Sequence, residues 1–413
     1  MFTRREWLKI GAGAAAMAAM PALGQQRAQT DNTPIVELEK PMFDLPSQIK
    51  EPVKIESIEL LKRDSNYFVR TRAAGGAVGV TPTKQVEQFV EIFRSAVAPM
   101  FIGKDAREIE TLINDCYREN YKLAGLAFWC PVAYVEQSVL DLLGKVSGKP
   151  VGALLGGIIR KEVPVYLSGS DRILRAEEEV DVYVRGVAET GAKAVKFKIG
   201  GRMSRNQDIY EGRTETVLKQ GREKLGDKII LYADANGSYD AKKGIEIGKM
   251  MEGLNYTFFE EPCPFEELSE TQAVAKALRI PIAFGEQNFS LWQFQWMMNN
   301  GVMQIVQPDI NYNGGLIRAA RVARVAEKLG MTIVPHNTQT GVASVNILTF
   351  ASYTKNIGPF MEYPWRRSQR TESWYSPNFI IRNGIIPIPT GPGLGLEIDP
   401  AYLSQAETVA KIA

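Results

Sequence analysis

The sequence predicts an α/β protein in which a (β/α)8 barrel of the TIM type follows a smaller N-terminal α+β capping domain. From Val163 onward, eight short apolar runs alternate with amphipathic stretches, as strand and helix units of a barrel would. Before that point, three strand-like runs are followed by helical patterns, which is typical of an α+β unit. Active sites of such barrels form at the C-terminal ends of the strands, so the residues there are the first candidates for a functional site.

The chain begins with the pattern of an export signal. The pair Arg4 and Arg5 precedes an apolar, small-residue run from Ile10 to Met20, and small residues continue to Gly24. We expect residues 1–24 to be a twin-arginine signal peptide and the mature protein to be periplasmic. A membrane anchor is the alternative, but the run is shorter than the roughly 20 apolar residues that a spanning helix needs.

Charge and cysteine content exclude some classes of protein. The chain has 49 basic and 47 acidic residues, and removal of residues 1–24 leaves 46 of each. A neutral mature protein without a basic patch gives no reason to expect nucleic acid as a partner. Cys116, Cys130 and Cys263 are an odd, widely spaced set without a CxxC motif, so no structural disulfide is implied.

The first part of the chain divides into an arm and the capping domain. Residues 25–52 contain four prolines and are expected to be irregular, and residues 53–160 form the predicted cap. Alternating or apolar runs predict cap strands at 54–60, 67–69 and 77–80, and helical patterns cover 85–98, 106–117 and 132–143.

Residues 161–385 are the predicted barrel. Its strand candidates are 163–167, 194–199, 229–233, 256–259, 280–284, 304–306, 331–334 and 359–361. An amphipathic stretch such as Leu316 to Leu329, ending before Gly330, is typical of the helices between them. Residues 386–413 are expected to be a tail that packs back on the cap. The tail contains a GxGxG pattern at 391–395, but no strand precedes it and no long helix follows, which argues against nucleotide binding.

Three acids stand at the ends of successive predicted barrel strands. They are Asp234, Glu260 and Glu286, and each is separated from the next by 26 residues, about the length of one βα unit. Neighbouring parallel strands would bring the three carboxylates together, where they repel one another unless a cation lies between them. All-oxygen ligation suits Mg²⁺, so we predict a magnesium site. The alternative is that each acid is only the N-cap of the following helix.

Basic side chains flank these acids. Lys196 and Lys198 are two residues apart on one strand and therefore share a face. His336, the only histidine, follows another strand, and Asp309 follows the strand before it, where a carboxylate could orient the imidazole. A rim lysine in a salt bridge and a structural histidine are the alternatives. A base on each side of a metal site suits removal of a proton next to a carboxylate, with the metal stabilising the resulting enediolate.

These motifs, taken in order, resemble the enolase superfamily and, within it, the mandelate racemase subgroup of the mandelate racemase/muconate lactonizing enzyme family. The matching segments are Lys196-Phe197-Lys198, Asp234-Ala235-Asn236, Glu260-Glu261-Pro262, Gly285-Glu286-Gln287, Asp309 with Gly314-Gly315, His336 and Glu362. The resemblance covers about residues 50–400.

The resemblance implies a role for each of these residues. Asp234, Glu260 and Glu286 would bind the metal, Lys198 and the His336–Asp309 pair would be the bases, and Glu362 would be a hydrogen-bonding acid near the substrate carboxylate. Lys196 is also taken as catalytic, and Ser168 and Asn236 as substrate-binding candidates. One departure from relatives is the short connection Lys62–Asn66 between the first two cap strands, so the substrate lid must come from the arm, a partner subunit or another segment.

The resemblance favours dehydration of an acid sugar, an aldonate or aldarate, to a 2-keto-3-deoxy acid, with His336 as the acid for the leaving hydroxyl. Racemisation or epimerisation of a 2-hydroxy acid is the alternative chemistry, and a non-catalytic periplasmic binding protein is a third possibility. We expect a small carboxylate substrate, Mg²⁺ as cofactor, no membrane anchor and a homo-oligomer.

Overall fold

A computed structural model describes residues 33–84, 86–169 and 172–413 of the 413-residue chain. The predicted signal peptide, residues 1–24, lies outside the described residues, as does the first part of the arm. From Thr33 onward the arm is not wholly irregular, because it contains two single-turn helices within 35–48.

The capping domain has three consecutive antiparallel strands packed against helices. Its strands are β1 (Ile55–Arg63), β2 (Asn66–Ala73) and β3 (Val78–Thr83), and the α-helices of the arm and cap are α1 (Ile35–Leu38), α2 (Leu45–Gln48), α3 (Val90–Ile92), α4 (Ile109–Asn120), α5 (Leu126–Ser147) and α6 (Val151–Leu154). All three predicted cap strands are present and are longer than their apolar runs suggested. Hydrogen bonds to neighbouring strands extend each strand beyond its apolar run. These bonds join backbone N–H and C=O groups and do not depend on the side chains.

The prediction of one regular helix over residues 85–98 is wrong, because the segment is a series of short helical turns of different kinds. Gln85 lies outside the described residues, and the segment from Glu87 to Met100 is a 3₁₀ turn, the short α3, a π-helical turn at Phe93–Val97 and a second 3₁₀ turn. Pro99, at the start of that last turn, has no backbone N–H to continue an α-helical ladder. The apolar spacing was that of a helix, but the hydrogen-bond pattern changes along it.

Helix α5 is the core helix of the cap. It is longer than the predicted 132–143 and, among the described residues, is the one helix long and apolar enough to cross a membrane by length and composition. However, 89% of its most apolar window is buried inside the protein. Both of its faces are covered, which explains why it is apolar all round.

The barrel contains eight parallel strands. They are β4 (Glu162–Ser168), β5 (Ala194–Lys198), β6 (Ile230–Asp234), β7 (Phe258–Glu260), β8 (Ile282–Phe284), β9 (Ile305–Val306), β10 (Thr332–Ile333) and β11 (Met361–Pro364). Neighbouring strands pair in chain order from β4 to β10, and β11 pairs with β4. The amide of Ile333 donates to Asn356 and that of Gly358 donates to Ile333, which closes the sheet between β10 and the chain leading into β11. The predicted (β/α)8 fold with an α+β cap is confirmed.

Helices follow the strands around the outside of the barrel. They are α7 (Ala176–Thr190), α8 (Arg213–Leu225), α9 (Ala241–Gly253), α10 (Leu268–Ala277), α11 (Leu291–Asn299), α12 (Leu316–Lys328), α13 (Val345–Tyr353) and the short α14 (Trp365–Ser368). The last strand was predicted at 359–361 but begins at Met361, because residues 356–358 make the closing contacts with Ile333 before the strand itself starts.

The tail returns to both domains. It consists of β12 (Tyr375–Ser376), β13 (Ile385–Pro387), β14 (Glu397–Ile398), α15 (Pro400–Ser404) and β15 (Glu407–Ile412). Strand β13 pairs antiparallel with β4, and β15 pairs antiparallel with β1 to give the cap sheet the order β15-β1-β2-β3. The 391–395 segment forms turns rather than a nucleotide-binding loop followed by a helix.

A buried carboxylate joins the cap to the barrel. Glu136 of α5 accepts hydrogen bonds from the amides of Leu316 (3.1 Å) and Ile317 (2.7 Å), the first residues of α12. This places the two acceptor oxygens of the Glu136 carboxyl group at the positive end of a helix. Gly315 precedes α12 with φ 115°, and a Cβ there would lie 2.5 Å from the Glu136 carboxyl carbon, so the contact requires glycine. The cap is thereby held over the C-terminal ends of the strands.

Candidate active site

Alternation along the strands separates an aromatic layer from a charged layer above it. Tyr232 and Phe258 point into the barrel and stack with ring centroids 3.8 Å apart. Two residues further on, Asp234 and Glu260 share the same face at the strand ends and are in register with each other. The barrel therefore has a packed aromatic floor with carboxylates above it at the mouth, and Lys196, in register with Tyr232, joins the two layers.

Asp234, Glu260 and Glu286 meet at this mouth. Each offers a carboxylate oxygen, these oxygens lie within 4.8 Å of one another, and all three side chains are buried. Glu286 follows β8 directly after Gly285, whose φ of 124° lets the chain turn so that the carboxylate faces the other two. The strand-end spacing predicted this cluster.

Burial and the neighbouring charges shift the pKa values of two of the acids in opposite directions. Burial raises the pKa of Glu260 to about 8, with the neighbouring Asp234 and Glu362 charges adding to it and Lys196 opposing it. Burial also opposes the charge of Asp234, but Lys198, Lys196 and Arg172 outweigh it, so the pKa of Asp234 lies well below its usual range. One oxygen of Glu286, Oε2, is buried without a hydrogen-bond partner among the described residues. Three hard oxygen donors, one of them without a hydrogen bond among the described residues, fit Mg²⁺.

Lys196 is fully buried and joins two acids. Its Nζ lies 2.5 Å from Glu260 and 2.7 Å from Glu362. Burial disfavours its charge, but these carboxylates outweigh burial and hold the pKa of Lys196 well above its usual value. Lys196 therefore supplies a fixed positive charge, not a proton-accepting amine.

Lys198 reaches the cluster from the same strand. Its ammonium contacts Asp234 and lies 3.2 Å from the side-chain oxygen of Asn236. Asn236 has φ 42°, and its amide nitrogen points to Glu261 (3.2 Å) and Glu286 (3.5 Å). The structure thus brings Lys198 and Asn236 to the three-acid cluster.

His336 reaches the site from the opposite arc of the barrel rim. Its Nδ1 lies 2.9 Å from Asp309, and its Nε2 lies 3.4 Å from Glu286. Burial lowers the pKa of His336, but Glu286 and Asp309 outweigh this and raise it to about 9. The Asp309 contact fixes the ring with Nε2 toward the three acids.

Glu362 is held at the barrel mouth by one ion pair and one hydrogen bond. Its Oε1 pairs with Lys196, and its Oε2 accepts from the amide of Asn337 at 2.9 Å. Burial raises the pKa of Glu362, but the nearby charges of Lys196 and His336 lower it by more. The pKa of Glu362 therefore lies below its usual value. Both oxygens are therefore engaged, one with Lys196 and one with the chain after His336, and the role of Glu362 as a hydrogen-bonding acid near the substrate carboxylate stays a prediction.

Ser168 lies at the end of β4 beside Pro364 of β11 and is buried. By alternation from the inward-facing Tyr166 it points into the barrel. Within the part of the chain that the structure describes, it forms no hydrogen bond with the three acids. Its assignment as a substrate-binding residue stays a prediction.

Three residues of the site were missed from the sequence. Arg172 is buried, donates to Asn236 at 2.9 Å, and has one guanidinium nitrogen, Nη1, without a partner among the described residues. Gln307 donates to Glu260 at 2.8 Å, and Glu261, with φ 41°, has a pKa raised well above its usual value by burial and by Glu286. Glu261 was visible in the Glu-Glu-Pro motif, whereas Arg172 lies in a loop without any pattern.

The connection between β1 and β2 of the cap is too short to cover the mouth of the barrel. The β1–β2 hairpin turns within Arg63–Asn66, with Asp64 at φ 53°. Hydrogen bonds of the arm go to the outer surfaces of helices, for example from Met42 to Glu110 and from Gln48 to Leu154. The described arm is therefore attached to the side of the molecule, and its hydrogen bonds do not involve the site residues.

Comparison with known proteins agrees with this geometry. A family model described as "Mandelate racemase / muconate lactonizing enzyme, N-terminal domain" matches residues 41–156, and one described as "Enolase C-terminal domain-like" matches residues 179–402. An arabinonate dehydratase of Saccharolobus solfataricus is 29% identical, covering 73% of this chain and 78% of its own. A D-galactarolactone cycloisomerase of Agrobacterium fabrum is 30% identical, covering 75% and 82%.

A solved structure shares the fold. It is a mandelate racemase/muconate lactonizing protein from Paracoccus denitrificans complexed with magnesium, with a TM-score of 0.79 and 26% identity. The match covers 87% of this chain and 99% of that one.

Proposed function

The chain belongs to the mandelate racemase/muconate lactonizing enzyme family of the enolase superfamily, and from this premise we propose that it dehydrates an acid sugar to a 2-keto-3-deoxy acid. The observation that carries the proposal is the placement of Lys198 and His336 on opposite arcs of the rim, each in contact with a member of the three-acid cluster. Relatives named as an arabinonate dehydratase and a D-galactarolactone cycloisomerase support an acid sugar as the substrate.

Asp234, Glu260 and Glu286 would hold Mg²⁺. The family and the magnesium complex of the Paracoccus protein support this choice, as does the oxygen-only ligand set. When bound, the ion would supply positive charge that stabilises the negative charge developing on the substrate carboxylate. Arg172 and Asn236 would keep the Lys198 side of the cluster in place through the hydrogen bonds described above.

The two basic side chains would divide the proton transfers. The proton next to the carboxylate passes to one of them, and we assign this step to Lys198 in its neutral amine form, which becomes an ammonium. The electron pair of the broken C–H bond first moves into the carboxylate to give an enediolate, and it then forms the C=C bond as the C–O bond at the neighbouring carbon breaks. The departing hydroxyl takes a proton from Nε2 of His336 and leaves as water, while Nδ1 stays bonded to Asp309. The enol product then tautomerises to the 2-keto acid.

A racemase is the second candidate because the same two side chains could remove a proton from one face and return it to the other. A non-catalytic binder would have no use for two opposed basic groups next to three buried acids. The homo-oligomer stays a prediction.

A panel of aldonates and aldarates, incubated with the protein and Mg²⁺, tests the function. We expect at least one substrate to give a 2-keto product, detected as its semicarbazone, and Lys198→Ala to give none. Inversion of the α-carbon without keto product would favour the racemase, and binding without either reaction would favour the binder.

We also propose export to the periplasm. The paired Arg4 and Arg5 before a short apolar run support it. A twin-arginine route suits a protein that folds before export, as an enzyme that must bind a metal would.

A further inference from the structure

One lysine of the cap reaches the mouth of the barrel. Lys84 directly follows β3, and its backbone oxygen accepts a hydrogen bond from the hydroxyl of Tyr134 in α5. Its ammonium contacts the hydroxyl of Thr338 and lies 3.3 Å from the hydroxyl of Tyr312. Both of these partners belong to the barrel, so Lys84 spans the gap between the two domains.

This contact lies beside the catalytic histidine. Thr338 is two residues after His336, and the rings of Tyr312 and His336 have centroids 6.3 Å apart. The Lys84 ammonium lies 5.5 Å from the Tyr312 centroid, so it cannot be more than about 12 Å from the centre of the imidazole. Lys84 is therefore within the length of a small substrate from the reacting groups.

The charge of Lys84 is not neutralised by the protein. Across the described ranges it has no carboxylate within 4.0 Å, and its polar contacts are the two hydroxyls, whereas Lys196 and Lys198 are each paired with acids. The side chain is half-buried, and burial of an unpaired charge is unfavourable. An anion at this position would remove that cost.

We propose that Lys84 binds a second carboxylate at the far end of the substrate, which makes the substrate an aldarate and not an aldonate. The inference rests on the proposed function, because that function places the first carboxylate of the substrate at the metal site. With carbon–carbon bonds of about 1.5 Å, an extended six-carbon chain places its end carbons roughly 6 Å apart. With charge-assisted contacts of about 2.8 Å at each end, such a molecule reaches roughly 12 Å, which is no shorter than the greatest possible separation of about 12 Å between the Lys84 ammonium and the imidazole of His336 at the edge of the three-acid cluster.

The test compares aldarate and aldonate pairs of the same stereochemistry, galactarate with galactonate and glucarate with gluconate. Dissociation constants are measured by titration calorimetry with saturating Mg²⁺, and kcat and KM are measured for any pair that reacts. Wild type should prefer the diacid of at least one pair. Lys84→Met should weaken diacid binding by about 10- to 100-fold, since a hydrogen bond to a charged group contributes roughly 1.5–3 kcal/mol. Binding of the aldonate should change less than about threefold.

Two further variants separate charge from folding. Lys84→Arg keeps the charge and should retain most of the diacid preference. Lys122→Met removes another cap lysine that lies over a tyrosine ring, 5.9 Å from the centroid of Tyr121, but on the exposed surface, and should behave as wild type. Thermal melting checks that all three variants are folded.

The outcomes distinguish this inference from the proposed function. If wild type prefers aldonates, or if Lys84→Met weakens both members of a pair equally, the role of Lys84 is wrong even when dehydration occurs. If the diacid preference depends on Lys84 but no keto acid forms, the binding role stands and the dehydration is wrong.

Discussion

Lys196 and Glu362 form a buried ion pair, with Nζ and Oε1 2.7 Å apart, that links the second strand of the barrel to the eighth. The same ammonium lies 2.5 Å from Glu260, so one cation balances two acids. Nothing else with a positive charge contacts Glu260 among the described residues. The charge of Lys196 therefore offsets the cost of burying Glu260 and Glu362.

Lys196→Met should therefore destabilise the protein strongly. Removing one partner of a buried pair leaves an uncompensated charge and costs about 3–5 kcal/mol. Lys219→Met is the control, since Lys219 pairs with Glu215 at 3.3 Å on the exposed face of α8, where such pairs contribute less than about 1 kcal/mol. Urea unfolding followed by circular dichroism measures both. Equal losses in the two variants would show that Lys196 is not needed to balance the acids.

Glu260→Gln should weaken Mg²⁺ binding at least about tenfold, because it replaces a charged ligand by a neutral one. Calorimetric titration of the chelator-treated protein with Mg²⁺ gives the affinity directly. Glu266→Gln, an exposed acid in the loop that follows, should leave it unchanged. Activity should disappear with EDTA and return with Mg²⁺, and full activity in the presence of the chelator would exclude the metal site.

Stability should fall as pH rises because of Glu136. Burial raises its pKa to about 8, although the amides of Ile317 and Leu316 oppose this. An unfolded glutamate has a pKa of about 4.3, so the folded protein takes up a proton between these values. The contribution is complete below about pH 4.3 and is lost as pH rises through about 8.

The measurement is the urea midpoint at pH 5.5 and pH 8.5. The fall between the two should be smaller in Glu136→Gln than in wild type, because the amide does not titrate. Glu177→Gln, on the exposed side of α7, should show the wild-type fall. An identical fall in all three proteins would mean that Glu136 stays charged throughout.

The sequence was sufficient to predict those features of the site that follow from the position of a residue at the end of a strand. An apolar run that stops at an acid places that acid at the mouth, so the approach of Asp234 and Glu260 followed from their positions. The pairing of His336 with Asp309 was predictable for a similar reason, since each residue comes three positions after the end of one of two neighbouring strands.

Features that depend on how separate segments dock could not be predicted. Arg172 and Lys84 lie just outside strands, in segments without periodicity, and what they contact is set by the loop path and by the seating of the cap. The contacts of Glu362 are of the same kind, because only the three-dimensional positions of Lys196 and Asn337 reveal that both of its oxygens are engaged.

Export should depend on the paired arginines. Replacing Arg4 and Arg5 together by lysine keeps the charge but removes the feature that the twin-arginine route recognises. We expect the double variant to remain in the cytoplasm as the uncleaved precursor, measured by fractionation and mass spectrometry. Lys9→Arg is the matched control and should be exported. Unchanged periplasmic recovery of the double variant would show that the N-terminal pattern is not such a signal.

The division of labour between Lys198 and His336 is the central claim. Lys198→Ala and His336→Asn should each lower dehydration by about 10²- to 10⁴-fold, as loss of a general acid or base does. They should differ in a second property, because only the variant that keeps Lys198 can still remove the α-proton.

Exchange of the substrate α-proton in D₂O, followed by proton NMR with Mg²⁺ present, tests this claim most directly. The account predicts that His336→Asn still exchanges the α-proton without forming product, that Lys198→Ala does neither, and that wild type forms a 2-keto acid. Wild type that inverts the α-carbon of an acid sugar and forms no keto acid would contradict the dehydratase assignment.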